Sequence, residues 1–390
     1  MDFATSSEEQ LIREAVRDIS AEYDREYWRE HFETKTFPEE YWQELAEGGW
    51  LGTTIPEAYG GEGMGMQEMA VVIEELSRGG DLGASSTVFV LTPVFGGISI
   101  ARHGTPEQRE RYLPSIADGE CRFAMALTEA NAGANTLNIQ TSAERDGDEW
   151  VVDGQKMWTS GVATADELLL VARTSSRTES TRSHGLTVFL VPEPAARDAI
   201  TLTPLDVEIP EFETQYQVDI TGLRIPEDRV LGEVDAGLEM LWDVLNTERI
   251  AGASTAIGGG LRAIDLTVEY ATDRVVFDDP IGAYQAIQHP IAEAFSKLQC
   301  ARLMTAQAAW EWDQGRDAGE SANIAKLRAS EAAFDAADHA IQTHGGNGFN
   351  AEYEVYDIWQ IMRLIKTAPV PNELIRNHIA EHALGLPRSY

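Results

Sequence analysis

The pattern of apolar and polar residues changes twice along the chain. In residues 1–121 apolar side chains recur at helical intervals, and Ser6 with Glu9, like Thr105 before Pro106, has the composition of a helix start. Residues 122–234 contain short apolar runs typical of strands, at 123–127, 149–152, 168–172 and 186–191. Helical periodicity then returns in residues 235–390. The pattern predicts an α+β fold, mainly α, with a helical domain, a β domain and a second helical domain.

Turn signals and loops refine this division. Asp146-Gly147 and Asp153-Gly154 predict turns between strands, and the polar stretch 174–183 predicts a surface loop. Because strands and helices do not alternate, a doubly wound Rossmann sheet is disfavoured.

The charge of the chain is strongly negative. Its 390 residues include 65 acidic and 30 basic side chains, which gives a net charge of −35. This balance largely excludes a general nucleic-acid-binding surface. It resembles the acidic surfaces of halophilic proteins, on which counterions screen the self-repulsion.

The sequence predicts a cytoplasmic protein with no membrane span and no metal site. Cys121 and Cys300 match no CxxC spacing, the N-terminus lacks the basic and apolar segments of a signal peptide, and the apolar stretch 88–101 is too short to cross a bilayer. His378 and His382 have the spacing of a metal pair, but no nearby residues complete a site.

One carboxylate has the position of a candidate general base. Leu241, Leu245 and Glu248 lie at i, i+4 and i+7 of a predicted helix, so the carboxylate shares a face with two leucines and is expected to be at least partly buried. Burial raises a carboxyl pKa toward the value useful for a base near neutrality. The alternative is that Arg249 holds Glu248 ionised in a structural pair.

Three further motifs contain small or flat residues. The stretch 126–135 leads from a strand into a loop of small residues, 154–161 places Trp158 beside two hydroxyls, and 342–348 contains three glycines in four residues. Taken singly, the first motif is more typical of a plain surface loop, and the second is more typical of a core tryptophan with satisfied hydroxyls.

Together these motifs resemble the acyl-CoA dehydrogenase family over nearly the whole chain. Supporting stretches include 55–61, 104–108 with 112–114, and 274–277 with Gln285 and Gln288. The resemblance implies an N-terminal helical domain at 1–121, a middle β domain at 122–234 and a C-terminal four-helix bundle at 235–390. It also implies FAD between the β domain and the bundle, and assembly as a homotetramer or dimer.

The resemblance assigns residues to the cofactor and the substrate. Cofactor contacts are implied for Met125, Leu127, Thr128, Gly133, Ala134, Trp158, Thr159, Ser160, Arg274, Phe277, Gln285, Gln342, Gly345, Gly346, Pro371 and Glu373, of which Gln342 and Gly346 would reach the FAD of a neighbouring subunit. Substrate contacts are implied for Ala134, Asn246, Arg249, Pro369 and Val370.

The family reaction implies a role for Glu248. A carboxylate removes the α proton of an acyl-CoA, the β hydride passes to flavin N5, a trans-2-enoyl-CoA forms, and an electron-transfer flavoprotein reoxidises the flavin. Branches of the family place this base either on an early helix of the bundle or on a late loop. Pro369 occupies the late-loop position and Glu248 the helix position, so we predict Glu248 as the base, with Glu373 as the next candidate.

Departures from the family pattern leave two alternatives. Ala134-Asn135 replaces the usual Ser-Asp, Met125 stands where an aromatic is common, and Pro369 lacks the backbone N–H that polarises the thioester in the family. Either the Val370 N–H takes this role or the thioester is held differently. A flavoprotein with little or no turnover, acting as a binding or assembly partner, and a related flavin oxidase therefore remain as alternative functions.

Overall fold

The computed structural model describes residues 6–80, 89–176 and 185–389. The described residues form two compact units, each assembled from several stretches of chain. The bundle unit comprises described residues of 1–34, 65–87 and 246–390, and the sheet unit those of 35–64 and 88–245.

The described elements are as follows. The helices are α1 Ser7–Glu22, α2 Arg25–Thr34, α3 Glu39–Glu47, α4 Met66–Arg78, α5 Ser99–His103, α6 Pro106–Ala117, α7 Gly237–Asp273, α8 Gln285–Asp313, α9 Gly319–His344, α10 Val355–Ile365 and α11 Asn372–His378, with a π-helical segment at Val90–Ile98. The strands are β1 Phe123–Ala126, β2 Ser142–Asp146, β3 Glu149–Ser160, β4 Glu167–Arg173, β5 Leu186–Pro192, β6 Ile200–Pro204, β7 Gln215–Pro226, β8 Val230–Leu231, β9 Val275–Val276 and β10 Asp279–Pro280.

Both predicted helix starts are confirmed by their capping bonds. The Ser6 hydroxyl accepts a hydrogen bond from the Glu9 N–H at 2.9 Å, and the Thr105 hydroxyl accepts one from the Gln108 N–H at 3.2 Å. Each bond satisfies a backbone donor that the first turn of a helix otherwise leaves free.

The small side chains of α7 allow close packing in the bundle unit. A Cβ atom added at Gly258 would lie 2.2 Å from the Glu74 carbonyl oxygen of α4, and one added at Gly260 would lie 3.0 Å from the Ala333 Cα of α9. The Ser77 hydroxyl also donates to the Thr255 carbonyl at 2.9 Å. Glycine at these positions, despite its helix penalty of ~1 kcal/mol, is therefore required by the approach of the neighbouring helices.

The sheet unit is built on one large sheet. Its strand order is β6-β7-β3-β2-β4-β5-β8, and β1 pairs with β4 in parallel. Buried side chains around Val152, Leu170 and Val218 form its core. The predicted strands at 123–127, 149–152, 168–172 and 186–191 are confirmed, whereas β2, β6 and β7 were not predicted because they contain no continuous apolar run.

The predicted turn at Asp153-Gly154 is wrong. Strand β3 continues through it to Ser160, with a shift of pairing register between Val152 and Gly154. A Cβ atom at Gly154 would lie 2.5 Å from Thr141 Oγ1, so the glycine permits close strand packing. Most of the predicted loop 174–183 lies outside the described residues, as does the first residue of the apolar stretch 88–101.

Candidate active site

Glu248 lies on the buried face of α7, as its spacing predicts. Its side chain is 8% exposed, and within the described part of the chain its carboxylate accepts no hydrogen bond. Burial raises the pKa of Glu248 to about 7, while the positive charges of Arg249 and Lys326 oppose this rise. An unbonded carboxylate with a pKa near neutrality can accept a proton at physiological pH.

Arg249 does not form the structural ion pair that was the alternative for Glu248. Its Nη1 donates to Asn246 Oδ1 at 3.1 Å, and its Nε is buried without a hydrogen-bond partner. Among the described residues no guanidinium nitrogen of Arg249 lies within 4.0 Å of a Glu248 carboxylate oxygen, although the two charges attract at longer range. The guanidinium therefore lowers the energy of the Glu248 carboxylate without occupying its oxygens.

The late loop, which comprises residues 366–371 between α10 and α11, retains one free backbone donor. The Ala368 N–H donates to the Leu364 carbonyl at 2.9 Å and the Asn372 N–H to the Lys366 carbonyl at 3.1 Å. Pro369 and Pro371 have no N–H. In the described structure the Val370 N–H makes no hydrogen bond, so it is the donor that this loop can offer to a ligand.

This loop approaches α7 one turn after Glu248. A Cβ atom at Gly252 would lie 3.5 Å from Pro369 Cδ, which is ordinary van der Waals contact. The structure therefore brings Glu248, Asn246 and Arg249 of α7 into the neighbourhood of the Pro369–Val370 segment. Apart from Ala134, which belongs to the sheet unit, these are the residues for which the resemblance implies proton removal and substrate binding.

Lys326 of α9 joins the late loop to this region and was not predicted from the sequence. Its side chain is fully buried, and its Nζ donates to the Val370 carbonyl at 2.6 Å and to Asn372 Oδ1 at 2.9 Å. Burial lowers the pKa of Lys326 to about 7, and the attraction of Glu248 opposes this. The available signal was a lysine among the small residues of a helix face that also contains Ala322 and Ala329.

The predicted cofactor segments of the sheet unit lie side by side. The Met157 N–H donates to the Thr128 carbonyl at 2.8 Å, and Lys156 Nζ donates to the Leu127 carbonyl at 3.1 Å and to Glu129 Oε1 at 2.8 Å. The adjoining loop with Gly133 and Ala134 is exposed, whereas Met125 is buried in β1.

The end of β3 has features that fit a flat, hydrogen-bonding group such as flavin. Trp158 has a φ of 60° and is 56% exposed, although it is a large aromatic residue. The neighbouring Thr159 Oγ1 is buried without a hydrogen-bond partner, and Ser160 Oγ bonds to Gln215 at 3.0 Å. An exposed indole beside an unsatisfied buried hydroxyl is the arrangement expected where a ligand completes the site.

The remaining predicted cofactor residues lie on exposed parts of the bundle unit. Phe277 is 88% exposed at the β9–β10 hairpin, with a φ of 55°. The others are also exposed: Arg274, Gln285, Gln342, Gly345 and Gly346. Pro371 is half-buried in the late loop, and Glu373 is exposed and accepts from Arg376 at 3.4 Å. No hydrogen bond or ion pair of the described structure joins this group to Glu248.

The described residues hold neither a metal centre nor a membrane-spanning helix. They contain no group of three or more His, Cys, Asp or Glu side chains that could hold a metal ion. His378 and His382 stack on each other, with ring centroids 4.1 Å apart. None of the described helices is long and apolar enough to cross a membrane.

Comparison with known proteins identifies the family. Models of the acyl-CoA dehydrogenase N-terminal, middle and C-terminal domains match residues 6–120, 124–211 and 235–384. Acyl-CoA dehydrogenase FadE12 of Mycobacterium tuberculosis is 40% identical over 390 residues, which is 100% of this chain and 99% of that protein. The chain belongs to the acyl-CoA dehydrogenase family. The predicted family, fold class and enzyme class are therefore confirmed.

Solved structures resemble this acyl-CoA dehydrogenase closely. A glutaryl-CoA dehydrogenase in complex with glutaryl-CoA has a TM-score of 0.93 and 27% identity, covering 100% of this chain and 98% of the other. An FAD complex of PigA has a TM-score of 0.92 and 25% identity, covering 99% of this chain and 100% of the other. Each similarity extends over both the helical and the β parts of the fold.

Proposed function

We propose that this acyl-CoA dehydrogenase forms a trans-2-enoyl-CoA by removing the α proton of an acyl-CoA with the Glu248 carboxylate, and that the electrons pass to an electron-transfer flavoprotein. The observation that supports this most directly is the state of Glu248. It is a buried carboxylate without a hydrogen bond, its pKa is about 7, and it lies one helical turn before the contact of α7 with the late loop.

FAD is the cofactor of this family member, as predicted. When bound, it supplies the acceptor for the hydride that leaves the β carbon. For its binding we propose the sheet-unit residues Leu127, Thr128 and Trp158 to Ser160, because they combine an exposed indole with the unsatisfied Thr159 hydroxyl. The other predicted cofactor contacts remain proposals of the same kind.

The chain's own groups would bind and activate the thioester. The Val370 N–H is the donor that we propose for the thioester oxygen, in place of the N–H that Pro369 lacks. A single donor of this type contributes on the order of a hundredfold to the rate of reactions that develop charge on oxygen. Asn246 and Arg249 are proposed to line the pantetheine channel, and the Arg249 charge would favour the ionised form of Glu248.

Self-association is proposed to complete the cofactor site. Gln342 and Gly346 are exposed, and in the proposed homotetramer or dimer they would meet the FAD of a neighbouring subunit.

The test is anaerobic flavin reduction by a series of acyl-CoAs. Wild type is expected to bleach, and Glu248→Gln should retain its flavin but reduce it at least ~100-fold more slowly, because general bases contribute about 10² to 10⁴ in rate. The matched control is Glu74→Gln, since Glu74 is also a buried carboxylate of the bundle unit with a raised pKa but is paired with Arg13 at 2.8 Å. It should bleach at the wild-type rate.

Other outcomes would point to the alternatives. Loss of bleaching in Glu373→Gln rather than in Glu248→Gln would move the base to the first turn of α11. A bound flavin that no acyl-CoA reduces would indicate a binding or assembly partner. Turnover with oxygen and peroxide formation, without an electron-transfer flavoprotein, would indicate an oxidase.

A further inference from the structure

Lys326 holds the late loop by its middle residue. The ends of the loop are fixed by the Ala368 and Asn372 N–H groups, which bond to the last turn of α10. Between them, the Val370 carbonyl accepts from Lys326 Nζ at 2.6 Å. A hydrogen bond from a buried ammonium group is stronger and shorter than one between neutral groups. The central peptide of the loop is therefore anchored from α9, independently of its ends.

The sequence around Val370 transmits this anchoring to its N–H. Pro369 fixes its own φ, and Pro371 confines the preceding Val370 to extended backbone conformations. With few dihedral angles left free, fixing the Val370 carbonyl also limits the direction of the Val370 N–H. That N–H has no partner in the described structure, so its direction is set by these constraints and by no bond of its own.

A second set of hydrogen bonds holds the Lys326 side chain itself in place. Asn372 Oδ1 accepts from Lys326, while its Nδ2 donates to Ser330 Oγ at 3.0 Å. Asn372, Ser330 and Lys326 are all buried. Burying an ammonium group whose contacts are neutral oxygens is costly, and a neutral apolar side chain would fill the same space at lower cost. The arrangement therefore calls for a role besides stability.

We infer that Lys326 is a positioning residue: by binding the Val370 carbonyl it aims the Val370 N–H at the thioester oxygen of the substrate. This inference rests on the proposed function, in which that N–H replaces the donor missing at Pro369. In this role Lys326 acts through the Val370 peptide and not by a contact of its own with substrate or cofactor. Its effect should appear in the recognition of the thioester carbonyl and not in the binding of the rest of CoA.

The test compares two ligands on the flavin-loaded enzyme. One is a trans-2-enoyl-CoA, which has the thioester carbonyl, and the other is the S-alkyl-CoA thioether of equal length, which lacks it. Wild type should prefer the enoyl-CoA. In Lys326→Met this preference should fall about tenfold, while thioether binding stays unchanged, because only the carbonyl contact is misaligned.

Control variants separate positioning from folding. Ser321→Ala removes a buried hydroxyl on the same helix that donates to Glu311 Oε2 at 2.5 Å, and it should keep the full preference. Lys326→Gln retains one neutral donor, so its preference for the enoyl-CoA should lie between those of wild type and Lys326→Met. This variant serves as the test if the methionine variant does not fold. The double variant Val370→Pro with Lys326→Met should lose no more of this preference than Val370→Pro alone, since both substitutions act on the same contact of the Val370 N–H with the thioester oxygen.

The outcomes distinguish this inference from the proposed function. An unchanged preference in Lys326→Met, or fully additive losses with Val370→Pro, would overturn the positioning role while leaving Glu248 as the base. Equally weakened binding of both ligands would also overturn it, because a general structural defect lowers affinity whether or not the ligand has a thioester carbonyl. A wild-type enzyme that binds neither ligand would overturn the proposed function itself and this inference with it.

Discussion

Two lysines are buried among the described residues, Lys156 in the sheet unit and Lys326 in the bundle unit, and their surroundings differ. Lys156 contacts the Glu129 carboxylate at 2.8 Å, and that carboxylate also accepts from the Gln140 and Thr141 N–H groups. Lys326 contacts a carbonyl and an amide oxygen, both neutral. The first lysine belongs to a satisfied ion pair, whereas the second keeps its charge uncompensated at contact distance.

The carboxylates near the two lysines respond in opposite directions. Hydrogen bonds and the Lys156 charge outweigh burial at Glu129, so its pKa is lowered. At Glu248 burial outweighs the longer-range attraction of Arg249 and Lys326, so its pKa is raised to about 7. The ion pair of Lys156 and Glu129 fixes the segments at Leu127 and Met157. Lys326 forms no such pair with Glu248, so the Glu248 carboxylate stays free for proton transfer. The comparison indicates which buried charges serve structure and which serve chemistry.

The largest effect is expected from breaking the satisfied pair. Lys156→Met should lower the free energy of unfolding by about 3 to 5 kcal/mol, because it leaves Glu129 buried without a counter-ion. Urea unfolding of the holoenzyme measures this loss. Lys326→Met is the matched comparison and should lower the free energy of unfolding by less than about 1 to 2 kcal/mol, because removal of the unpaired ammonium offsets the loss of its hydrogen bonds to two neutral acceptors.

A second substitution checks the cause of the Lys156 effect. Adding Glu129→Gln to Lys156→Met should recover part of the stability, because the amide removes the unpaired charge and retains an oxygen for the Gln140 and Thr141 N–H groups. If Lys326→Met costs as much as Lys156→Met, the distinction between the two lysines is wrong.

The next largest effect is expected in the pH dependence of stability, which should be opposite for substitutions at Glu248 and at Glu129. The raised pKa of Glu248 means that the folded state holds this proton more tightly than the unfolded state, so the stability that Glu248 contributes falls as pH rises from about 4.5 to about 7. Glu248→Gln should therefore be more stable than wild type at pH 8, by up to about 3 kcal/mol, and nearly equal to it at pH 5.

Glu129→Gln provides the opposite case. The lowered pKa of Glu129 stabilises the fold above the pKa of the unfolded carboxyl, and this contribution is lost as pH falls through the folded-state pKa. Glu129→Gln should be less stable than wild type at pH 8, and the gap should narrow in acid. Urea unfolding at pH 5 and pH 8 measures the difference for Glu248→Gln, and a further series below pH 4.5 measures how the gap for Glu129→Gln narrows. The same sign of the stability change at pH 8 in both variants would refute the comparison.

The burial of Glu248 was easier to predict from the sequence than the role of Lys326. The burial of Glu248 follows from its spacing to Leu241 and Leu245, because helix periodicity is a local property. The role of Lys326 was not predictable in this way, since its partners Val370 and Asn372 lie more than forty residues away and one is a backbone carbonyl. Contacts of that kind leave no local pattern in side-chain type.

The β fold shows the same limit. Strands β4 and β5 were predicted because they are continuous apolar runs, which buried strands require. Gly154 was assigned to a turn, whereas it lies within β3, where Thr141 packs against it. A glycine needed for close approach and a glycine needed for a turn look alike in sequence, and the neighbouring strand decides between them.

The smallest expected effect concerns the pH profile of flavin reduction. Proton removal requires the ionised carboxylate, so with Glu248 as base the anaerobic reduction rate should rise about tenfold between pH 6 and pH 8, around an apparent pKa of about 7. Because Glu248 and Lys326 interact, that value belongs to the group as a whole, and Lys326→Met should raise it, since it removes a positive charge that favours the carboxylate. Stopped-flow absorbance over this range measures the profile, with Lys156→Gln as the comparison from the sheet unit. A profile that shifts equally in both lysine variants would mean that the charge at Lys326 does not act on Glu248.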